Sequence, residues 1–238
     1  MAARPLRSAA FSAAAYQQQN GLPSPTNFSG VAINRSATQA IANSYAKMPS
    51  FDKTAVPAYR AMAEETGRQF DHITKPRSKG GMGLDIEATN HDPYGDGKWE
   101  DTFPAMGQDI ENNNRLKVLS TAATGGHPFF SNDQNDMFRA VHDTFGHLAA
   151  GRGVDKHGEE AAYQKHSQMY SPLARGAMAT ETRGQNAALH SFGGFPEQKV
   201  GILPAHMQMP DYAGIGDPQE RAQAVLQARQ WNVRQGIT

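Results

Sequence analysis

Apolar residues return at helical spacing in one segment after another, and that recurrence limits the chain to a mainly α fold. Val56, Tyr59, Met62, Phe70 and Ile73 lie at spacings near 3.6 over roughly residues 55–72, behind Thr54 as N-cap and Pro57 in the first turn. Met137, Phe138, Val141, Phe145 and Leu148 form a second stripe within residues 132–149, and Ala162, Tyr163, His166 and Met169 a third over residues 159–170. Ser171-Pro172 opens a further helix that runs to about Leu189, since a serine cap followed by proline at the first position favours helix entry. Its face of Ala174, Ala177 and Met178 is small, and Gly193-Gly194 and Pro196 end it. Leu116 and Leu119 suggest another helix over residues 112–122, and residues 218–231 read as a last surface helix. Residues 75–107 carry turn signals (Lys79-Gly80-Gly81, Asp92-Pro93, Asp96-Gly97) and read as a long loop with at most a short strand. The expected fold is a single helical domain with long loops, little strand and a flexible N-terminal arm.

The arm is residues 1–27. No Asp or Glu occurs before Asp52, Arg4 and Arg7 stand among Ala and Ser, Gln17 to Gln19 follow, and Gly21, Pro23, Ser24 and Pro25 read as a linker. An organelle presequence or an assembly arm is the alternative to a low-complexity tail, whereas a secretory signal would need a continuous apolar run. Residues 28–238 form the expected helical, metal-binding domain.

Lys plus Arg number 23 and Asp plus Glu number 23, a net charge of zero without the basic excess that nucleic-acid binding exploits. No apolar run approaches the ~20 residues of a membrane span. A cytoplasmic protein is expected, with organellar or virion-associated placement as alternatives. The chain has no cysteine, which excludes disulfides and thiolate metal sites. Any metal must be held by His, Asp, Glu or backbone oxygen.

Those residue types meet in Val141-His142-Asp143-Thr144-Phe145-Gly146-His147. Five residues apart on an α-helix, the two imidazoles start ~140° apart around the axis, wider than an i, i+4 pair. Long side chains can still converge on an ion, and Gly146 clears space for it or for a neighbouring helix. Glu181, on the small face of the Ser171 helix, is the expected third ligand, because a carboxylate there is costly to bury unless paired or metal-bound. Two His and one carboxylate on one side of an ion suit non-haem Fe(II) and leave three positions open. A zinc hydrolase would use the same ligands with a water.

His142-Asp143-Thr144-Phe145-Gly146-His147 resembles the His-Glu-Leu-Leu-Gly-His element of the pterin-dependent aromatic amino acid hydroxylases, with matching spacing and glycine. Thr180-Glu181-Thr182-Arg183-Gly184 stands at a distance comparable to that family's third-ligand helix, and Glu197 to Leu203 resembles the short strand region beyond it. The resemblance implies His142, His147 and Glu181 as iron ligands, Asp143 in place of an acid near the pterin ring, and pterin as cosubstrate. It spans about residues 138–204. Met137-Phe138-Arg139-Ala140 stands where that family has Pro-Glu-Pro-Asp, and Leu148-Ala149 replaces a proline. The wider string, including Gly158-Glu159-Glu160 and Tyr170 to Arg175, resembles uncharacterised phage-encoded proteins.

Simpler roles compete with each of these. The two histidines can be ordinary helix residues, Asp143 and His147 an i, i+4 surface pair, and Glu181 a partner of Arg175 or Arg183. His166, on the face of Glu159, reads as a supporting or core histidine and His127 as a solvated loop residue. Arg139 reads as a surface ion pair or as the receptor of a substrate carboxylate or phosphate. The resulting expectation is an Fe(II)-dependent oxygenase or hydroxylase acting on a small molecule, with Asp143 and Arg139 as catalytic candidates. The alternative is a phage virion or scaffold protein with a structural zinc or metal-free cluster, assembling with itself or a virion partner through its arm.

Overall fold

A computed structural model describes residues 5–24, 28, 30–95, 99–214, 222 and 226. The fold is mainly α, as expected. Helix α2 (Arg35–Lys47) is capped by Asn34, whose side chain accepts from the Ala37 amide. Helix α3 (Val56–Thr74) buries Tyr59, Met62, His72 and Ile73 and packs against both α5 (Asn132–Val141) and α7 (Pro172–Ala179). Ser131 and Gln134 form a capping box on α5, and Ser171 caps α7 through the Ala174 amide. Helix α6 (Lys156–Ser167) starts at Asp155, which accepts from the His157 and Gly158 amides. Helix α8 (Gln185–Phe192) packs on α2 and ends at left-handed Gly193.

Two stretches depart from α geometry. Residues His142–Leu148 continue α5 as a π-helix, π1, and Thr180–Gly184 join α7 to α8 as a second, π2. One apolar cluster gathers α2, α3, α7 and the 200–213 segment around Tyr59, Met62, Tyr163 and Met178. Another gathers Ile73, Ile110, Leu116, Val141, Phe145 and Leu148 on the other side of the α5–π1 rod.

Two expectations fail. Residues 112–122 are not a helix: helix α4 (Trp99–Asn113) begins within the expected loop, and after it the chain forms strand β2 (Arg115–Leu119). The cause is Asn114, which at φ 54° stops the helix, after which Leu116 and Val118 are buried at strand period two. Strand β1 (Asp85–Thr89) pairs with β2 in parallel, Asp85 opposite Arg115 through Thr89 opposite Leu119, with α4 as the crossover. Residues Arg7–Gln19 form helix α1, burying Ala9, Ser12, Ala13, Tyr16 and Gln17 against π1 and α3. Its stripe is helical in period but made of small residues, so composition hides it. Leu6 N–H donates to Leu148 C=O at 2.9 Å, and Tyr16 contacts His72 and Phe145 at ring distances of 5.3 and 5.9 Å. Most of the helix expected over residues 218–231 lies outside the described residues. Among the described residues no helix is long and apolar enough to cross a membrane.

Candidate metal centre

The π-helical stretch explains how histidines five residues apart share a face. Hydrogen bonds from i to i+5 stack such residues one above the other, where an α-helix would rotate them apart. The rings of His142 and His147 lie 5.0 Å apart and nearly perpendicular, at 81°. Gly146 allows the fit: a Cβ there would sit 3.1 Å from His142 Nδ1 and 3.2 Å from the Ala162 Cβ of α6.

Helix α6 brings the carboxylate. A Cβ on Gly158 would lie 1.8 Å from the Gly153 carbonyl oxygen, so only glycine lets the 151–155 loop cross the start of α6. That crossing sets Glu159, in the first turn, beneath π1. Glu159 Oε2 is 3.5 Å from His147 Nε2 and 4.0 Å from His142 Nε2. One ligand atom from each of the three residues lies within 4.8 Å of the other two, and a bound cation would draw them closer.

Each of the three side chains is oriented from behind. His147 Nδ1 lies 3.2 Å from the Arg152 carbonyl oxygen and 3.1 Å from that of Gly153, acceptors that leave the proton on Nδ1 and turn Nε2 toward Glu159. Asn186 Nδ2–H donates to Glu159 Oε2 at 2.9 Å. His142 Nδ1 faces His166 Nδ1 at 3.1 Å. Burial pulls the His147 imidazolium down, but the charge and hydrogen bond of Glu159, with Asp143, outweigh it and hold the ring up at about 9. Burial pushes the Glu159 carboxyl up, yet His147 and His142 outweigh it and hold it well below the usual carboxylate range. Without metal the pair is therefore an ion pair.

The carboxylate that joins the histidines is Glu159, not the expected Glu181. Glu181 on π2 accepts from Tyr59 Oη at 2.6 Å and Gln185 Nε2 at 2.7 Å, and its Oε2 lies 3.2 Å from His127 Nε2. It is outside the three-residue group but lines the same cleft. Arg183 does not hold it: that guanidinium is bound to Glu160, with Nε 3.0 Å from Oε2, and to the carbonyls of Met207, Met209 and Pro210. His127 is buried rather than solvated, its Nδ1 accepting from the Phe129 and Phe130 amides.

The cleft has a volume of about 330 Å³, and its walls carry His142, His147 and Glu159 together with Asp143, Arg139, Lys117 and Glu181. Burial raises the Asp143 carboxyl, against the pull of His147 and His142. Arg139 is no surface ion pair: it donates to the Leu119 carbonyl and, at 3.1 Å, to Thr124 Oγ1. Comparison with protein-family models, curated proteins and solved structures finds no match.

The sequence carried one signal for Glu159. Asp155 is a strong cap, which puts Glu159 in a first helical turn on the face of His166. His166 does have the supporting position expected for it, against His142.

Proposed function

We propose that the protein is a mononuclear non-haem Fe(II) enzyme that oxygenates a small molecule, with His142, His147 and Glu159 as ligands. The observation that carries this reading is the group of two imidazole nitrogens and one carboxylate oxygen within 4.8 Å, set in the wall of a cleft of about 330 Å³. Iron bound there would supply one-electron redox chemistry and access to dioxygen, with cleft-facing positions left open. The chain's own residues would do the rest. Three ligands preset by Arg152, Gly153, Asn186 and His166 need little rearrangement to close on an ion. Asp143, whose carboxyl is raised by burial and which lines the cleft, would take up or give a proton beside the centre. Arg139 and Lys117 would take an anionic group of the substrate. Hydroxylation places one atom of dioxygen in a C–H bond and reduces the other to water, consuming two electrons and two protons from a reductant. A reduced pterin is the donor that the motif resemblance implies.

The cleft beside the ligands favours this reading over a structural zinc site, which is normally closed. The virion-scaffold alternative used residues 1–27 as an assembly arm, and Arg7–Gln19 packs on its own chain instead. Zinc hydrolysis would use the same ligands without dioxygen. The test is anaerobic loading with Fe(II), a reductant such as tetrahydropterin or ascorbate, and then oxygen uptake. The proposal expects uptake above that of free Fe(II), abolished in His147→Ala. Uptake equal in both proteins overturns it.

A further inference from the structure

His142 is backed by a polar chain that ends on the main chain. His142 Nδ1 lies 3.1 Å from His166 Nδ1, His166 Nε2 lies 2.8 Å from Gln69 Oε1, and Gln69 Nε2–H donates to the Met169 carbonyl at 3.3 Å. His166 and Gln69 are both fully buried. The last member fixes all the others. A backbone carbonyl can only accept, so the Gln69 amide must point its nitrogen at Met169 and its oxygen at His166. His166 Nε2 must then carry a proton, which leaves Nδ1 of the neutral ring as an acceptor. The only proton that fits between the two Nδ1 atoms is the one on His142. His142 then carries a proton on Nδ1, and its Nε2 is turned toward Glu159.

We infer that Gln69 and His166 are positioning residues that keep a proton on His142 Nδ1, so that Nε2 is the nitrogen presented to an incoming metal. This rests on the metal-centre reading for its purpose but not for its test. His147 Nδ1 is likewise held by acceptors, the Arg152 and Gly153 carbonyls, so the Nδ1 side of both rings is set by backbone acceptors, one directly and one through two side chains. The relay adds what packing alone would not: a choice between two nitrogens. Phe138, stacked on both His142 and His166 at ring distances of 5.8 and 6.2 Å, supplies the packing but no proton preference.

The experiment reads histidine tautomers in the metal-free full chain by long-range 1H–15N correlation, and separately titrates Co(II) as the probe. The variants are Gln69→Met, which removes both hydrogen bonds, and Gln69→Glu, which still accepts from His166 Nε2. In wild type and Gln69→Glu, His142 shows protonated Nδ1 and His166 protonated Nε2. In Gln69→Met, His142 becomes a mixture of tautomers and Co(II) affinity falls about 10- to 100-fold. His166→Gln, with an amide oxygen in place of Nδ1, keeps the wild-type His142 pattern and decides the matter if Gln69→Met does not fold. An unchanged His142 pattern in Gln69→Met, or a lost one in Gln69→Glu or His166→Gln, overturns the relay. A wild type with the stated tautomers that takes up no Co(II) overturns the metal centre and leaves the relay standing.

Discussion

Glu159 Oε2 sits 3.5 Å from His147 Nε2 and also accepts from Asn186 Nδ2 at 2.9 Å, so helices α6 and α8 and the π1 segment meet at one oxygen. The amide of Asn186 leaves that carboxylate fewer directions to point. Asn186→Ala should therefore weaken metal binding about 10- to 100-fold while costing only about 1 kcal/mol of stability. Metal titration and denaturant unfolding on the same variant check both halves.

Gly146 is where the His142 ring, π1 and α6 come closest. Gly146→Ala puts a methyl group 3.1 Å from His142 Nδ1 and 3.2 Å from Ala162 Cβ, inside ordinary contact. The backbone is helical there, so the strain falls on the ring and on α6. Destabilisation of about 1–3 kcal/mol is expected, with weaker metal binding. Ala162→Gly in the same chain should restore part of the stability but less of the affinity, because the ring contact remains. Unfolding and titration of the single and double variants measure this.

Much of the fold was legible because core-facing helices write their period into the sequence. The α3 stripe from Val56 to Ile73 and the Ser171-Pro172 start both lie where the residues place them. Helix α1 was hidden because Ala9, Ser12 and Ala13 are small and weakly hydrophobic, so the period carries little amplitude. Strand β2 was misread because Leu116 and Leu119 fit a helical spacing, while the left-handed Asn114 that stops α4 is set by tertiary context. The two histidines were legible as a pair, but not the π-helix that joins them, which is a matter of backbone hydrogen bonding. Glu159 was missed in favour of Glu181 because spacing says nothing of which helices meet. That depends on Gly158 letting the 151–155 loop cross beneath π1.

Arg183 and Glu160 form a buried ion pair, with the guanidinium 3.9 Å from the Tyr163 ring centroid and three backbone carbonyls completing its donors. Glu160→Leu leaves that cation buried without its counter-charge, and a loss of about 3–5 kcal/mol is expected. Urea unfolding should show it, and Glu160→Gln should lose less because its amide oxygen still accepts.

His72 ties helix α1 to α3, with Tyr16 against its edge and Phe145 beside it. Burial, with Lys75 nearby, lowers its pKa below the ordinary 6.5, against a hydrogen bond from the ring to the Ser12 backbone that raises it. A base with a depressed folded pKa binds fewer protons folded than unfolded, so stability rises with pH and is lost as pH falls below about 6.5. His72→Phe should flatten that part of the profile. Thermal unfolding at about pH 5 and about pH 7 tests the difference, with equal slopes in both proteins as the contrary result.

Metal content after equilibration with Fe(II) or Co(II) and removal of the excess tests the central claim most directly. Wild type and Glu181→Gln should each retain about one ion per chain, because Glu181 is held by Tyr59 and Gln185 outside the three-residue group. His147→Ala and Glu159→Ala should retain none. Retention by Glu159→Ala equal to wild type, or its loss in Glu181→Gln alone, would contradict a centre built from His142, His147 and Glu159.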